Sequence, residues 1–181
     1  MTQLVELRRQ TLEIGDYRLA PMAPEDAGEL LVLFGDPEVA EFMDIAPLTK
    51  IAEAREIVAW AMELAGRNQG VRWTIRRDRR LIGTVGFNSL ELERGRRGEV
   101  AYDLARAEWG RGVMSAILPH VMAFGYERLG LHRLEAMVTA GNHRSCALLE
   151  RHGFEREGLL RDHGYWTGRF WDQIVYGRLG D

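Results

Sequence analysis

The chain has 181 residues, 46% of them hydrophobic and 28% charged, with a net charge of -3. This is the balance of a soluble globular protein of one domain with its own core, and it carries no nucleic-acid footprint. Cys146 stands alone, so no internal disulfide forms, and no apolar run approaches the ~20 residues of a membrane span.

No repeat, low-complexity tract or linker divides the chain. The opening MTQLVELRRQ lacks the apolar stretch of a secretion signal, which with the lone cysteine predicts a cytoplasmic protein. Residues 1–15 read as a lead-in. Residues 17–22 form a strand candidate ended by Pro21 and Pro24. Pro24-Glu25-Asp26 begins a helix, since proline suits the first turn and acids suit the dipole there. Leu30, Leu31, Leu33 and Phe34 give it an apolar face, and Asp36-Pro37 stops it. Residues 36–50 are read as irregular. Thr49 is the expected cap of a second helix running to about Ala65, with Ile51, Ala54, Ile57, Val58 and Ala61 facing inward.

Three strands follow as a meander: 71–77, 81–92 and 99–104. A long helix is expected from about Arg111 to Leu129, bent at Pro119, which removes a backbone hydrogen bond. Gly130 is its stop. Residues 133–139 are a strand, and Asn142 begins a shorter helix to about Arg151. Strands at 154–166 and 170–179 flank Thr167-Gly168. The expected fold is therefore α/β: a mixed, mostly antiparallel sheet with about four helices and one parallel crossover from 99–104 to 133–139.

Trp109-Gly110-Arg111-Gly112 lies at the end of the first strand of that crossover, where such folds put ligands. The opening amides of a helix lack intrahelical partners and its dipole is positive at that end, so a glycine-rich entry makes an anion site. Glycines also serve in such turns simply for backbone freedom.

This loop, the run Asn142-His143-Arg144-Ser145 and the run Leu149-Glu150-Arg151-His152-Gly153-Phe154 resemble the GNAT acetyltransferase superfamily. The likeness is to the branch named for ribosomal-protein N-terminal acetyltransferases. Arg18-Leu19, Pro24-Glu25-Asp26-Ala27, Gly130-Leu131-His132-Arg133-Leu134-Glu135-Ala136, and Glu157-Gly158 with Arg161 extend it over nearly the whole chain. The resemblance implies acetyl-CoA as cosubstrate and no metal. It implies that Trp109, Gly110, Arg111, Gly112, Val113, Met114 and Ser115 hold the pyrophosphate. Trp109 replaces the usual Gln or Arg, and Met114 stands where Gly or Ala is usual. By the same likeness Tyr102, Asp103 and Leu104 pair with the pantetheine amides, and Asn142 bonds that arm.

Acetyl transfer needs an amine without its proton, a polarised thioester and a reprotonated thiolate. An α-amine near pH ~8 is easier to use than a lysine near ~10.4. Glu99 is the first candidate base. Its alternative is a solvated strand-end acid or a partner for Arg96 or Arg97. Asp103 and Glu135 rank below it, and Glu135 reads equally as a structural acid. Leu149 stands where many of these enzymes carry a tyrosine acid, which leaves Ser145, or a serine that merely satisfies backbone groups. His132, His143, His152 and His163 show no partner in the sequence. Cys146 reads as a small buried residue.

The amine, from a protein N-terminus or a small molecule, is expected between residues 36–50 and the C-terminal hairpin. Phe42, Met43, Tyr165, Trp166, Phe170 and Trp171 line or flank that side, or form core or a homodimer face. Two other readings stand beside the enzyme: a non-catalytic CoA-binding or regulatory module, and a nucleotide-binding domain. The chain lacks the phosphate-loop fingerprints of the latter.

Overall fold

Alternation around Val71, Trp73 and Ile75, and again around Val85 and Phe87, builds the centre of the molecule. The computed structural model describes residues 6–180. Strand β3 (Val71–Arg77) pairs antiparallel with β4 (Arg80–Glu91), and β4 with β5 (Arg97–Leu104). β3 and the first half of β4 are covered on both faces. Trp73 is wholly buried and meets Phe87 and Phe124 edge-on, at 6.3 and 5.2 Å between ring centres.

The lead-in is more ordered than expected. Its first five residues lie outside the described part. Beyond them Leu7 is buried and residues 12–14 form β1 (Leu12–Ile14), a hairpin partner of β2 (Tyr17–Pro21). The Trp73 indole N–H donates to Gln10 O at 2.7 Å, which ties this segment to the core. Three residues are too few to show a strand period in sequence; pairing with β2 makes the strand.

Helix α1 (Ala27–Gly35) follows a tight turn, and the Asp26 carboxylate accepts the Ala23 N–H at 2.8 Å. Asp36-Pro37 both ends α1 and starts a one-turn helix, α2 (Pro37–Ala40), because Asp36 Oδ1 accepts the Glu38 N–H at 2.9 Å. The 36–50 segment is thus irregular only after residue 40. Helix α3 (Ile51–Gly66) is capped from inside: the Glu53 carboxylate accepts the N–H groups of Thr49 and Lys50, so Thr49 does not cap with its hydroxyl. Helices α1 and α3 pack together in a second, smaller core around Leu30, Leu33, Phe34, Ala54, Val58 and Ala61.

The long helix is shorter than its apolar pattern. Helix α4 (Val113–Ala123) runs through Pro119 and then widens into a π turn, Phe124–Arg128, before Gly130. The stripe Val113, Ile117, Leu118 and Val121 is buried in the main core. Strand β6 (Arg133–Thr139), helix α5 (His143–Arg151) and the hairpin β7 (Glu155–Trp166) with β8 (Arg169–Leu179) complete the chain. Five α-helices therefore stand among the described residues where four were expected, the extra one being α2.

The strand order is β1-β2-β3-β4-β5-β6-β8-β7, and β5 with β6 is the one parallel pair among the described strands. They share three rungs: Arg97 with Arg133, Gly98 with Leu134, Glu99 with Glu135. After Glu99 the strands part. β5 follows β4 as far as Gly83↔Leu104, and β6 follows β8 as far as Thr139↔Gln173. The cause is visible in β4. A bulge at Asn88 falls opposite the Glu99–Val100 step, and a bulge adds local twist and bends its strand away.

Candidate active site

The parting of β5 and β6 opens a cleft of about 1910 Å³. One wall is β5 from Glu99 to Leu104; the other is β6 from Ala136 to Thr139. Along these walls the inner edges of both strands are free of each other, so an amide-bearing chain can lie between them. The start of α5, the 108–115 loop, the 38–48 segment and the tip of the C-terminal hairpin contribute to the lining.

In the loop, Gly110 and Gly112 sit at φ of +71° and +75°, with open space where a Cβ would be. Gly112 is the N-cap of α4 and offers no side chain, so the first amides of that helix keep their hydrogens for a ligand. Arg144 lies over the Trp109 ring at 4.4 Å, and the Trp109 indole N–H donates to Leu104 O at 2.7 Å. Arg151 Nη1 donates to Ser115 Oγ at 3.3 Å. With exposed Arg111, three guanidinium groups surround the loop, which fits a phosphorylated ligand. Met114 is buried in the main core.

Glu99 stands where the strands part, half-buried and on the cleft. Burial pushes its carboxyl above the ordinary range, and the Glu135 and Asp44 carboxylates push the same way; Arg72 and a Ser89 hydrogen bond oppose them. The arginine alternative does not hold. Arg97 approaches Glu135 at 4.0 Å, and Arg133 binds Glu135 at 2.7 Å and Glu157 beside it. Glu135 is thus the structural acid of its pair of readings.

Asp103 is committed elsewhere. Its Oδ2 accepts from Arg72 Nη2 at 2.8 Å and from the Thr84 hydroxyl at 2.9 Å. Arg72, buried under the cleft, also donates to Ala101 O at 2.8 Å and to Asn88 Oδ1 at 3.3 Å. The sequence reading missed this arginine. It reads as an ordinary residue of an alternating strand, and its partners lie 12 to 31 positions away.

Ser145 and Asn142 open α5. Asn142 Oδ1 accepts the Ser145 N–H at 3.2 Å as the N-cap. Ser145 Oγ lies 2.7 Å from the Tyr102 hydroxyl. Tyr102 therefore contributes a side chain as well as a backbone, which the sequence reading did not foresee. Leu149 is fully buried. Cys146 is partly buried against the main core. Of the histidines, His143 and His163 reach the cleft. His152 is half-buried at the end of α5, where burial first and then Arg151 and Arg178 hold its imidazole below the usual value.

Phe42, Met43, Tyr165 and Trp166 line the same cleft. Phe42 is fixed by the Thr139 hydroxyl, which donates to its carbonyl at 2.8 Å. Phe170 and Trp171 flank: Phe170 packs on Tyr165 at 4.9 Å, and Trp171 stacks on Trp166 at 5.4 Å. Among the described residues no group of three or more His, Cys, Asp or Glu gathers to hold a metal ion, and no helix is long and apolar enough to cross a membrane.

A gap between parallel strands that ends in an amide-rich helix start, and meets a half-buried carboxylate at its apex, suits the transfer of an acyl group from a long phosphorylated carrier. That is the class: an acyl-transfer enzyme. Residues 17–155 match the acetyltransferase (GNAT) domain family, and the chain belongs to that family as an N-acetyltransferase. It is 36% identical over 172 residues to the N-acetyltransferase p20 of Bacillus licheniformis, covering 94% of this chain and 96% of that one. The fold is also that of RimL, a ribosomal L7/L12 alpha-N-protein acetyltransferase solved in complex with coenzyme A. The TM-score is 0.85 at 22% identity, over 94% of this chain and 98% of RimL. A second structure of similar fold is the acetyltransferase from Salmonella typhimurium that modifies the N-terminal serine of L7/L12. It gives a TM-score of 0.83 at 23% identity, over 95% of this chain and all (100%) of the other.

Proposed function

We propose that the protein moves the acetyl group of acetyl-CoA to a primary amine by direct attack in a ternary complex, acting as a single domain in the cytoplasm. The observation that carries this reading is the gap between β5 and β6, with the glycine loop at its far end and Glu99 at its apex. The coenzyme A complex of RimL, a protein of the same fold, supports it. Acetyl-CoA supplies an acetyl group as a thioester, activated toward amines.

The chain's own residues divide the work. The backbone from Trp109 through Gly110, Arg111, Gly112, Val113 and Met114 to Ser115 binds the pyrophosphate. The backbone of Tyr102, Asp103 and Leu104 pairs with the pantetheine amides, while the Asp103 carboxylate stays with Arg72. Asn142 holds the same arm. Glu99 takes the proton of the attacking amine, and Ser145 Oγ–H faces the sulfur. The amine, a protein N-terminus or a small molecule, enters past Phe42, Met43, Tyr165 and Trp166. Glu41 and Asp44 line this cleft as well and favour a positively charged acceptor.

Thermal unfolding with acetyl-CoA, free CoA and ATP tests the reading. At a hundredfold excess over Kd, a ligand that binds only the folded state adds about 2.7 kcal/mol. For a chain of this size that raises Tm by about 5–10 °C. The expected result is such a rise with the two CoA compounds and none with ATP. Peptides beginning with Ser or Ala then serve as acceptors, read by thiol release. No rise with either CoA compound overturns the proposal.

A further inference from the structure

Ser145 is held at two points. Its N–H is fixed by Asn142 Oδ1 at 3.2 Å, and its hydroxyl oxygen lies 2.7 Å from the Tyr102 hydroxyl. Ser145 O lies 3.5 Å from the same phenol, so Tyr102 meets this one residue at two oxygens, the hydroxyl being the nearer. Tyr102 comes from β5 and Ser145 from α5, and both line the cleft. Burial pushes the phenol well above its ordinary pKa, so it keeps its proton. A hydroxyl that accepts one hydrogen bond is polarised and donates its own hydrogen more strongly.

We propose that Tyr102 is the positioning residue for Ser145: its phenol donates to Ser145 Oγ and turns the serine O–H toward the sulfur that leaves during acetyl transfer. This rests on the acetyl-CoA reading above. In the transfer the amine nitrogen bonds the acetyl carbon and gives its proton to Glu99. The carbon–sulfur bond breaks and the electron pair stays on sulfur. Ser145 shares its hydrogen with that sulfur, Tyr102 keeps its own proton, and Glu99 passes the amine proton to water, which in turn protonates the sulfur so that CoA departs as the thiol. A tyrosine from the strand thus serves a helix whose own position 149 is a buried leucine.

The test does not need the acceptor. The thiol of bound CoA is titrated by its ultraviolet thiolate absorption in wild type, Tyr102→Phe, Ser145→Ala and the double variant. A hydrogen bond to a charged group is worth about 1.5–3 kcal/mol, so its loss raises the bound thiol pKa by about one pH unit or more. Tyr102→Phe and Ser145→Ala are each expected to raise it. The double variant is expected to go no further than Ser145→Ala, with the CoA Kd within about threefold throughout. Ser145→Thr keeps the hydroxyl and is expected to titrate like wild type. With a Ser- or Ala-initiated peptide as acceptor, Tyr102→Phe lowers kcat about tenfold and leaves KM for acetyl-CoA unchanged.

If Tyr102→Phe titrates like wild type while Ser145→Ala shifts, this inference falls and the role of Ser145 survives. A shift in Ser145→Thr, or additive shifts in the double variant, overturns it as well. If neither single variant shifts, the role proposed for Ser145 falls too. Failure of wild type to bind CoA overturns the acetyl-CoA reading itself and this inference with it.

Discussion

Glu99 shows how one side chain is set apart by its neighbours' commitments. Of the arginines that its sequence surroundings offer as partners, Arg97 approaches Glu135 instead, directly across the parallel rung, and Arg133 binds Glu135 more closely still. For Glu99, burial and two like charges outweigh the pull of Arg72 and the Ser89 hydrogen bond, and its carboxyl rises. A raised pKa means that the folded state binds this proton more tightly than the unfolded chain, whose glutamates titrate near ~4.3. Below that unfolded value both states are protonated and nothing is lost; as pH rises through the folded value, ionisation costs stability. Glu99→Gln is therefore expected to raise Tm at pH 7, with the gain gone near pH 4, while kcat/KM falls at least about 100-fold and the acid limb of the pH profile disappears. Scanning calorimetry at the two pH values and steady-state rates check both halves. Glu99 was legible as a candidate from its place at a strand start. That Arg97 turns to Glu135 instead was not, because the competing carboxylate lies 36 residues on and meets Glu99 only through the register. The Asp103–Arg72 pair was hidden for the same reason.

At the scale of elements, the loop and α4 were readable because glycine is informative where the backbone must take a positive φ. Gly112 at +75° is the case in point: an alanine has room there but is strained by about 1–2 kcal/mol. Gly112→Ala is expected to lower Tm by roughly 2–8 °C and to weaken acetyl-CoA binding about tenfold, measured by melting and by calorimetry. The helices and the long strands were equally legible from their periods. The misses have local causes. β1 is three residues long and exists through its partner β2. Asp36-Pro37 signals a helix start as strongly as a stop. The apolar stripe of α4 runs on into residues 124–128, yet the backbone there widens into a π turn, and apolar spacing does not separate the two.

The whole molecule is a sheet in two parts. β1 to β5 form one antiparallel run and β6, β8 and β7 another, and three parallel rungs join them. The crossover that makes β5 and β6 parallel followed from the order of elements alone. Their separation did not, since both strands keep an unbroken strand pattern, and it is Asn88, an extra residue in β4, that turns β5 aside. Amides of residues 100–104 on the β5 edge that faces the gap are expected to exchange quickly in the free protein. Acetyl-CoA is expected to slow them at least tenfold in hydrogen-exchange mass spectrometry, with little change in β3. The three-rung joint is also a short seam between the two halves of the sheet. A cosubstrate seated beside it is expected to act as a stitch, lending the fold part of its rigidity. Acetyl-CoA is therefore expected to slow cleavage of the purified protein by a nonspecific protease, read as loss of the full-length chain with and without the cosubstrate.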